Sequence, residues 1–205
     1  MARDRILASS SSVGSSTGTR SPNLETGDRP GRLVTSRDFL VRHGTEADLD
    51  PIADIRVRTW AQTYGPLMDP AVLKPFLGRG RQREDLDIGF ARPDALLLIA
   101  TSDTYAIGGF ALTFLTQVPD PWLESLHVTP ELQGSGIGTL LLRATATEIR
   151  ASGRDTMALG MVAGNTNAGR LYKRLGAVMI RSDPVEWAPG VWLDIYRWGS
   201  LSSLV

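Results

Sequence analysis

Residues 127–144, HVTPELQGSGIGTLLLRA, set glycine at Gly134, Gly136 and Gly138 and then run directly into an apolar helical pattern. Glycine at alternate positions costs backbone entropy and gives no side chain to a core, so its use lies in backbone shape or in close approach by another group. The preceding stretch, PWLESLHV at 121–128, reads as a strand. The following one, 138–152, reads as a helix with Leu141, Leu142, Thr145 and Ile149 facing inward. A strand that passes through a glycine-rich turn into a helix aims several free backbone N–H groups at one point, at the positive end of the helix dipole. Such a turn suits a phosphate or pyrophosphate.

The rest of the chain alternates strand and helix signals around this window. FLVRHGT (39–45) is a short strand, followed by a helix with Leu49, Ile52, Ala53 and Trp60 on one face, started by Thr45 or Asp48. Residues 60–90 are broken at Gly65, Pro66, Pro70 and Pro75 and are expected to form short helices and loops. Segments 95–101 and 106–116 read as a hairpin joined at Ser102, Asp103 and Thr104. TMALGMV (156–162) is a buried strand, and NTNAGRLYKRLG (165–176) a helix capped by Asn165 and ended by Gly176. AVMIRS and VWLDIYRW supply two last strands around a turn at 184–190. The order β, α, α, β, β, β, α, β, α, β, β predicts an α/β fold in which helices cover a mixed sheet.

Three phosphate-binding patterns compete for the glycine window, and two fail on residue identity. A Walker loop needs Gly-Lys-Ser/Thr at its end, whereas Gly138 is flanked by Ile137 and Thr139 with no lysine nearby. A dinucleotide fingerprint needs G-x-G-x-x-G and an acid ending the second strand; here the spacing is G-x-G-x-G and Asp155 precedes its strand. What remains resembles the GNAT superfamily of acetyl-CoA-dependent N-acetyltransferases. Its pattern Q/R-x-x-G-x-G/A is met by Gln133, Gly136 and Gly138, and its pattern N-x-x-A-x-x-x-Y-x-x-x-G by Asn165, Ala168, Tyr172 and Gly176. The resemblance covers about 38–199. Ala177 stands where an aromatic residue is usual, and Ser135 where a basic residue or glutamine is often found.

The resemblance implies a GNAT-like fold whose fourth and fifth strands splay apart, with the pantetheine arm of acetyl-CoA between them on the backbone of Leu126 and Val128. It places pyrophosphate against the amides of Gly134, Ser135, Gly136, Ile137, Gly138 and Thr139, with Gln133 and Asn165 as cofactor neighbours. The Val128 amide is the donor for the developing oxyanion, and Tyr172 the acid that returns a proton to sulfur. Read from the residues alone, Tyr172 is a core residue beside Leu171 and Leu175 and Asn165 a simple helix cap. For the base, the resemblance gives Glu124 the stronger claim, with passage of the proton through water as the alternative. A surface carboxylate is the commoner fate of such a residue, and His127 is equally a packed histidine. Side chains alternate along a strand, so Glu124 and His127 share a face only where a bulge intervenes. The resemblance builds the acceptor pocket from the first two helices and the last hairpin, making Trp60, Tyr64, Trp187 and Trp192 its candidate lining.

Composition narrows the partners. The 205 residues carry no net charge, which gives no electrostatic case for nucleic acid. Twenty of the 22 basic residues are arginine, a compositional bias more than a phosphate-binding stripe. With no cysteine and only His43 and His127, neither a thiolate nucleophile nor a cysteine- or histidine-rich metal centre is expected. No apolar run approaches the roughly 18 residues that cross a bilayer. Residues 1–36, rich in Ser, Gly, Thr and Pro, read as a disordered tail, whether dispensable or regulatory, and 37–205 as the transferase domain. The combined reading is a cytoplasmic, metal-free N-acetyltransferase, monomer or homodimer, that passes acetyl from acetyl-CoA to a primary amine of a small molecule or peptide in a ternary complex. The competing reading is a non-catalytic acyl-CoA-binding module on the same fold.

Overall fold

Leu96, Leu97, Leu98, Ile99 and Ala100 form an unbroken apolar run, and a strand so composed has to be covered on both faces. In the computed structural model, which describes residues 35–186 and 188–205, that strand lies inside a seven-stranded mixed sheet with helices on both faces. The strands are β1 (Leu40–His43), β2 (Ala95–Thr101), β3 (Gly109–Phe114), β4 (Trp122–Val128), β5 (Met157–Val162), β6 (Val178–Pro184) and β7 (Trp192–Trp198). They lie in the order β1-β2-β3-β4-β5-β7-β6. Every neighbouring pair is antiparallel except β4 and β5, which are parallel.

Between β1 and β2 lie α1 (Leu49–Tyr64), α2 (Pro70–Leu73) and α3 (Arg79–Phe90). Helix α4 (Ile137–Ala151) joins β4 to β5, and α5 (Thr166–Arg174) joins β5 to β6. One face of the sheet presents Leu97, Ile99, Phe110 and Leu112 to Leu49, Ile52, Ala53 and Ile55 of α1 and Leu86 of α3. The other face lies under α4, whose Ile137, Leu141, Leu142, Ala146 and Ile149 are all fully buried. Removing that much apolar surface from water, at about 25 cal/mol per Å², is the main term holding each layer to the sheet.

Several sequence expectations shift by a few residues for local reasons. The α1 start is prepared by Thr45 and Asp48 together: the Asp48 carboxylate accepts from the Thr45 amide (2.8 Å) and hydroxyl (3.0 Å). Helix α4 begins at Ile137, one residue before the expected Gly138, because Gly136 with φ +93° makes the turn. Strand β3 is shorter than the expected 106–116. The main difference is α3. The sequence reading gave short helices and loops for 60–90, and 79–90 form a twelve-residue helix. Its arginines and aspartates pair one turn apart, Arg81 with Asp85 and Arg83 with Asp87, and such pairs stabilise a helix that lacks an apolar stripe.

The expectation for residues 1–36 lies outside the described residues as far as 34, and so does Trp187. Ser36 belongs to the fold: its amide donates to the Ser135 carbonyl at 2.9 Å. Among the described residues no helix is long and apolar enough to cross a membrane.

Candidate active site

Strands β4 and β5 begin as neighbours and then part. The Ala158 amide donates to the Pro121 carbonyl at 2.9 Å, and Trp122 pairs with Ala158, the single register pair between the two strands. Beyond it β4 stays on β3 and β5 stays on β7. The gap is a cleft of about 100 Å³ walled by Leu123 to His127 of β4, Leu159 to Met161 of β5, and Tyr64, Asn165 and Tyr172. Polar backbone lines it. The Thr129 amide points to β3, bonding to the Gly108 carbonyl at 2.9 Å. Amides alternate along a strand, so those of Val128 and Leu126 are directed to the opposite edge, toward β5.

The glycine loop stands at the end of this cleft. Gly134 (φ +80°) and Gly136 (φ +93°) occupy the left-handed region that other residues resist. A Cβ on Gly136 would also lie 3.0 Å from Ser36 Oγ. Gly138 is different: it is helical, and a Cβ there would make ordinary contacts with Leu171 and Val128. The Ser135 amide (3.3 Å) and hydroxyl (2.6 Å) both donate to the Leu132 carbonyl. Of the six amides expected to meet pyrophosphate, the Ser135 amide is therefore already bonded within the loop. Those of Gly134, Gly136, Ile137, Gly138 and Thr139 have no acceptor among the described residues. Gln133 turns away from the loop, its amide 3.3 Å from Gln62 Oε1 and 3.4 Å from the Val128 carbonyl.

Asn165 caps α5 by accepting from the Ala168 amide at 3.3 Å, and it also lines the cleft. Two turns on, Tyr172 is 7% exposed, its ring packed on Tyr196 (centroids 5.7 Å apart) and Trp198 (5.9 Å). Its hydroxyl has no partner among the described residues, and burial raises its pKa well above the ordinary phenol value.

A bulge decides which face Glu124 takes. Leu112 pairs with Ser125 and Thr113 with Leu123, so Glu124 is an extra residue in β4. This puts Glu124 on the same side as His127, toward α1, and both line the cleft. Glu124 is exposed to solvent, yet its carboxylate is hemmed in by the cleft wall. That enclosure raises its pKa, opposed by the charge of Arg56 and by the Trp122 indole, which donates to the carboxylate at 2.9 Å. His127 stacks on Phe110 (5.3 Å between centroids), and burial, helped by the charge of Arg56, lowers its pKa to about 3. The Thr59 hydroxyl lies 2.8 Å from His127 Nδ1 and 2.9 Å from the Ile55 carbonyl, which can only accept. With its proton on that carbonyl, Thr59 receives the Nδ1 hydrogen, leaving the lone pair on Nε2. His127 is a neutral, packed histidine.

The aromatic candidates separate. Tyr64 lines the cleft. Trp60 lies beneath it, edge-on to Tyr64 at 4.9 Å and stacked with Phe76 at 5.6 Å, beside Met68, Leu73 and Val191. Trp192 is exposed at the start of β7 and is not among the cleft residues. Sequence reasoning missed Arg56 and Trp122. Arg56 had a signal: it falls in the apolar stripe of α1, four residues after Ile52 and four before Trp60. Among the described residues no group of three or more His, Cys, Asp or Glu could hold a metal ion.

The family model for the acetyltransferase (GNAT) family matches residues 52–177. No curated protein matches the chain. Among solved structures, the PaiA N-acetyltransferase from Thermoplasma acidophilum in complex with coenzyme A is similar with a TM-score of 0.66 at 19% identity, over 78% of this chain and 97% of that one. The ribosomal-protein-alanine N-acetyltransferase from Brucella melitensis gives 0.59 at 21% identity, over 78% and 98%. An acetyltransferase of the GNAT family from Bacillus cereus gives 0.59 at 15%, over 80% and 98%. At these identities the likeness is one of fold.

Proposed function

The chain belongs to the acetyltransferase (GNAT) family, and from that premise we propose that it transfers an acetyl group from acetyl-CoA to a primary amine of a small molecule or peptide, by direct attack in a ternary complex. The observation that carries this reading is the parting of β4 from β5 beside a loop with five amides that have no acceptor among the described residues. A pantetheine arm needs a slot with unspent backbone donors, and a pyrophosphate needs converging N–H groups at a helix start. The Leu126 and Val128 amides serve the first need. Gly134, Gly136, Ile137, Gly138 and Thr139 serve the second, with Asn165 and Gln133 as neighbours. Coenzyme A bound to the Thermoplasma protein of similar fold is consistent with this assignment.

In the reaction the amine nitrogen forms a bond to the thioester carbon as the C–S bond breaks. The proton shed by the amine passes to Glu124, directly or through water in the cleft; enclosure moves its pKa toward neutrality, which improves a carboxylate as a base. His127, with its pKa near 3, is the poorer base. The Val128 N–H faces the oxygen on which charge develops. Tyr172 donates a hydrogen bond to the departing sulfur. Its raised pKa keeps the phenol protonated at every working pH. It also favours a donor that stabilises the thiolate over complete proton transfer, because an ordinary thiol, with pKa about 8.5, holds its proton less tightly. The chain has no cysteine to carry the acetyl group, so transfer is direct.

Acetyl-CoA consumption against a panel of amines, peptides and aminoglycosides, run beside thermal shift with acetyl-CoA, tests the reading. Stabilisation with turnover supports it. Stabilisation without turnover on the whole panel favours an acyl-CoA-binding module.

A further inference from the structure

Arg56 is a guanidinium with too few partners for its depth. It is 8% exposed, its Nε has no hydrogen-bond partner, and it forms no ion pair among the described residues. The ring of Trp60, 5.9 Å from Cζ, covers it. A buried charge in this condition is costly unless something pairs with it. Nearby charges do not explain it away. Asp85, the carboxylate of α3 that acts most strongly on Arg56, is held by Arg81 at 3.1 Å. Glu124 is held by the Trp122 indole and forms no hydrogen bond or ion pair with Arg56.

Arg56 is not itself one of the cleft-lining residues, but it neighbours them. It lies on the face of α1 that carries Thr59, bonded to His127, and, two turns on, Thr63 of the cleft wall. Its charge acts on Glu124, Tyr64 and His127, all cleft residues. A buried cation beside the cleft and a carboxylate that lines it are thus electrostatically coupled yet form no ion pair with each other. A ligand carrying the opposite charges in reverse order would satisfy both.

We propose that the acceptor is an amino-acid-like molecule whose carboxylate pairs with Arg56 while its amine is presented to Glu124. This rests on the acetyltransferase reading and narrows its substrate class. An amine without a neighbouring carboxylate, such as a peptide N-terminus, leaves Arg56 unpaired.

The test compares kcat/KM for the standard L-amino acids, the corresponding amino-acid amides and short peptides, with acetyl-CoA as donor. The best amino acid should exceed its own amide by about 30-fold or more, the order expected when one partner of a buried charge pair is missing. Arg56→Met should bring acid and amide within a few-fold of each other while leaving the KM for acetyl-CoA unchanged, and Arg56→Lys should restore part of the preference. The wild-type comparison needs no variant, so a folding defect in Arg56→Met does not blunt it. Amides or peptides that turn over as well as the acids overturn the proposal and leave the acetyltransferase reading standing, as does an unchanged preference in a folded Arg56→Met. No turnover of any amine, with acetyl-CoA still stabilising the fold, overturns both.

Discussion

Tyr172→Phe separates packing from chemistry at one position. The ring is buried against Tyr196 and Trp198, and phenylalanine keeps those contacts. The hydroxyl has no partner among the described residues, so its loss leaves no orphaned donor or acceptor among them. Stability should therefore stay within about 0.5 kcal/mol of wild type, since the usual 1–3 kcal/mol cost of breaking a buried hydrogen bond does not arise. Catalysis should respond differently. Removing a group that stabilises the leaving sulfur costs about 10²-fold or more in kcat, about 3 kcal/mol of barrier at 1.36 kcal/mol per decade.

The assay is urea denaturation monitored by tryptophan fluorescence, beside steady-state acetyl transfer at saturating acetyl-CoA. The two numbers must part: stability flat, kcat down, cofactor affinity kept. Normal turnover would refute the donor role and return Tyr172 to the core. A fall in stability of 2 kcal/mol or more would show that the hydroxyl has a structural partner, and any loss of activity would then carry no mechanistic weight.

Other expectations follow from the same geometry. Gly136→Asp, which puts a side chain and a negative charge at φ +93° in the loop, should abolish the stabilisation by acetyl-CoA, worth about 2.7 kcal/mol at one hundred times Kd in the wild type; an unchanged thermal shift counts against the pyrophosphate cradle. Asp48→Asn should cost about 2 kcal/mol at pH 7, because the hydrogen bonds from Arg42 hold the Asp48 pKa at about 2 against an ordinary 3.8. That stability is present above pH 4 and lost as pH falls through 2, so wild type and variant should converge in acid; a gap that persists at pH 2 refutes the linkage. Glu124→Gln should lower kcat by about 10²-fold or more. The raised Glu124 pKa also means that the native state holds this proton more tightly than the unfolded chain. The wild-type carboxyl therefore favours folding below its ordinary pKa of 4.5 and loses that advantage as pH rises through the raised value. Urea titrations should show the variant gaining on wild type above pH 5, and parallel curves would refute the enclosure of Glu124.

The succession of strands and helices along the chain and the helix at the glycine turn were legible because each rests on local chemistry. Apolar runs of strand length such as 95–101, a turn that needs left-handed backbone at Gly134 and Gly136, and an Asn165 cap are all written within a few residues of where they act. Helix α3 was not legible by that route. RGRQREDLDIGF has no apolar stripe, and its order comes from intrahelical ion pairs and from Leu86, which docks into the core. The bond at Ser135 was not legible for a related reason: its amide folds back onto Leu132, a choice made by the loop's own geometry. Arg56 carried a signal, a cation inside an apolar stripe, whose meaning depends on β4 and α3 arriving beside it.

The bulge at Glu124 joins these threads. Strict alternation would set Glu124 and His127 on opposite faces, and no local residue pattern announces the extra residue, because a bulge is a property of two paired strands. Once present, it acts twice. It turns the Glu124 side chain to the α1 face, where Arg56 lies, while the amides of Leu126 and Val128 keep their direction toward β5. A bulge also bends its strand and increases the local twist, and this one lies just after Trp122, the last β4 residue paired with β5. The same irregularity that aims the carboxylate thus lies where the sheet begins to open. The face that Glu124 takes and the point where β4 leaves β5 lie within three residues of one another, and the first could not be placed from the residues of that strand alone.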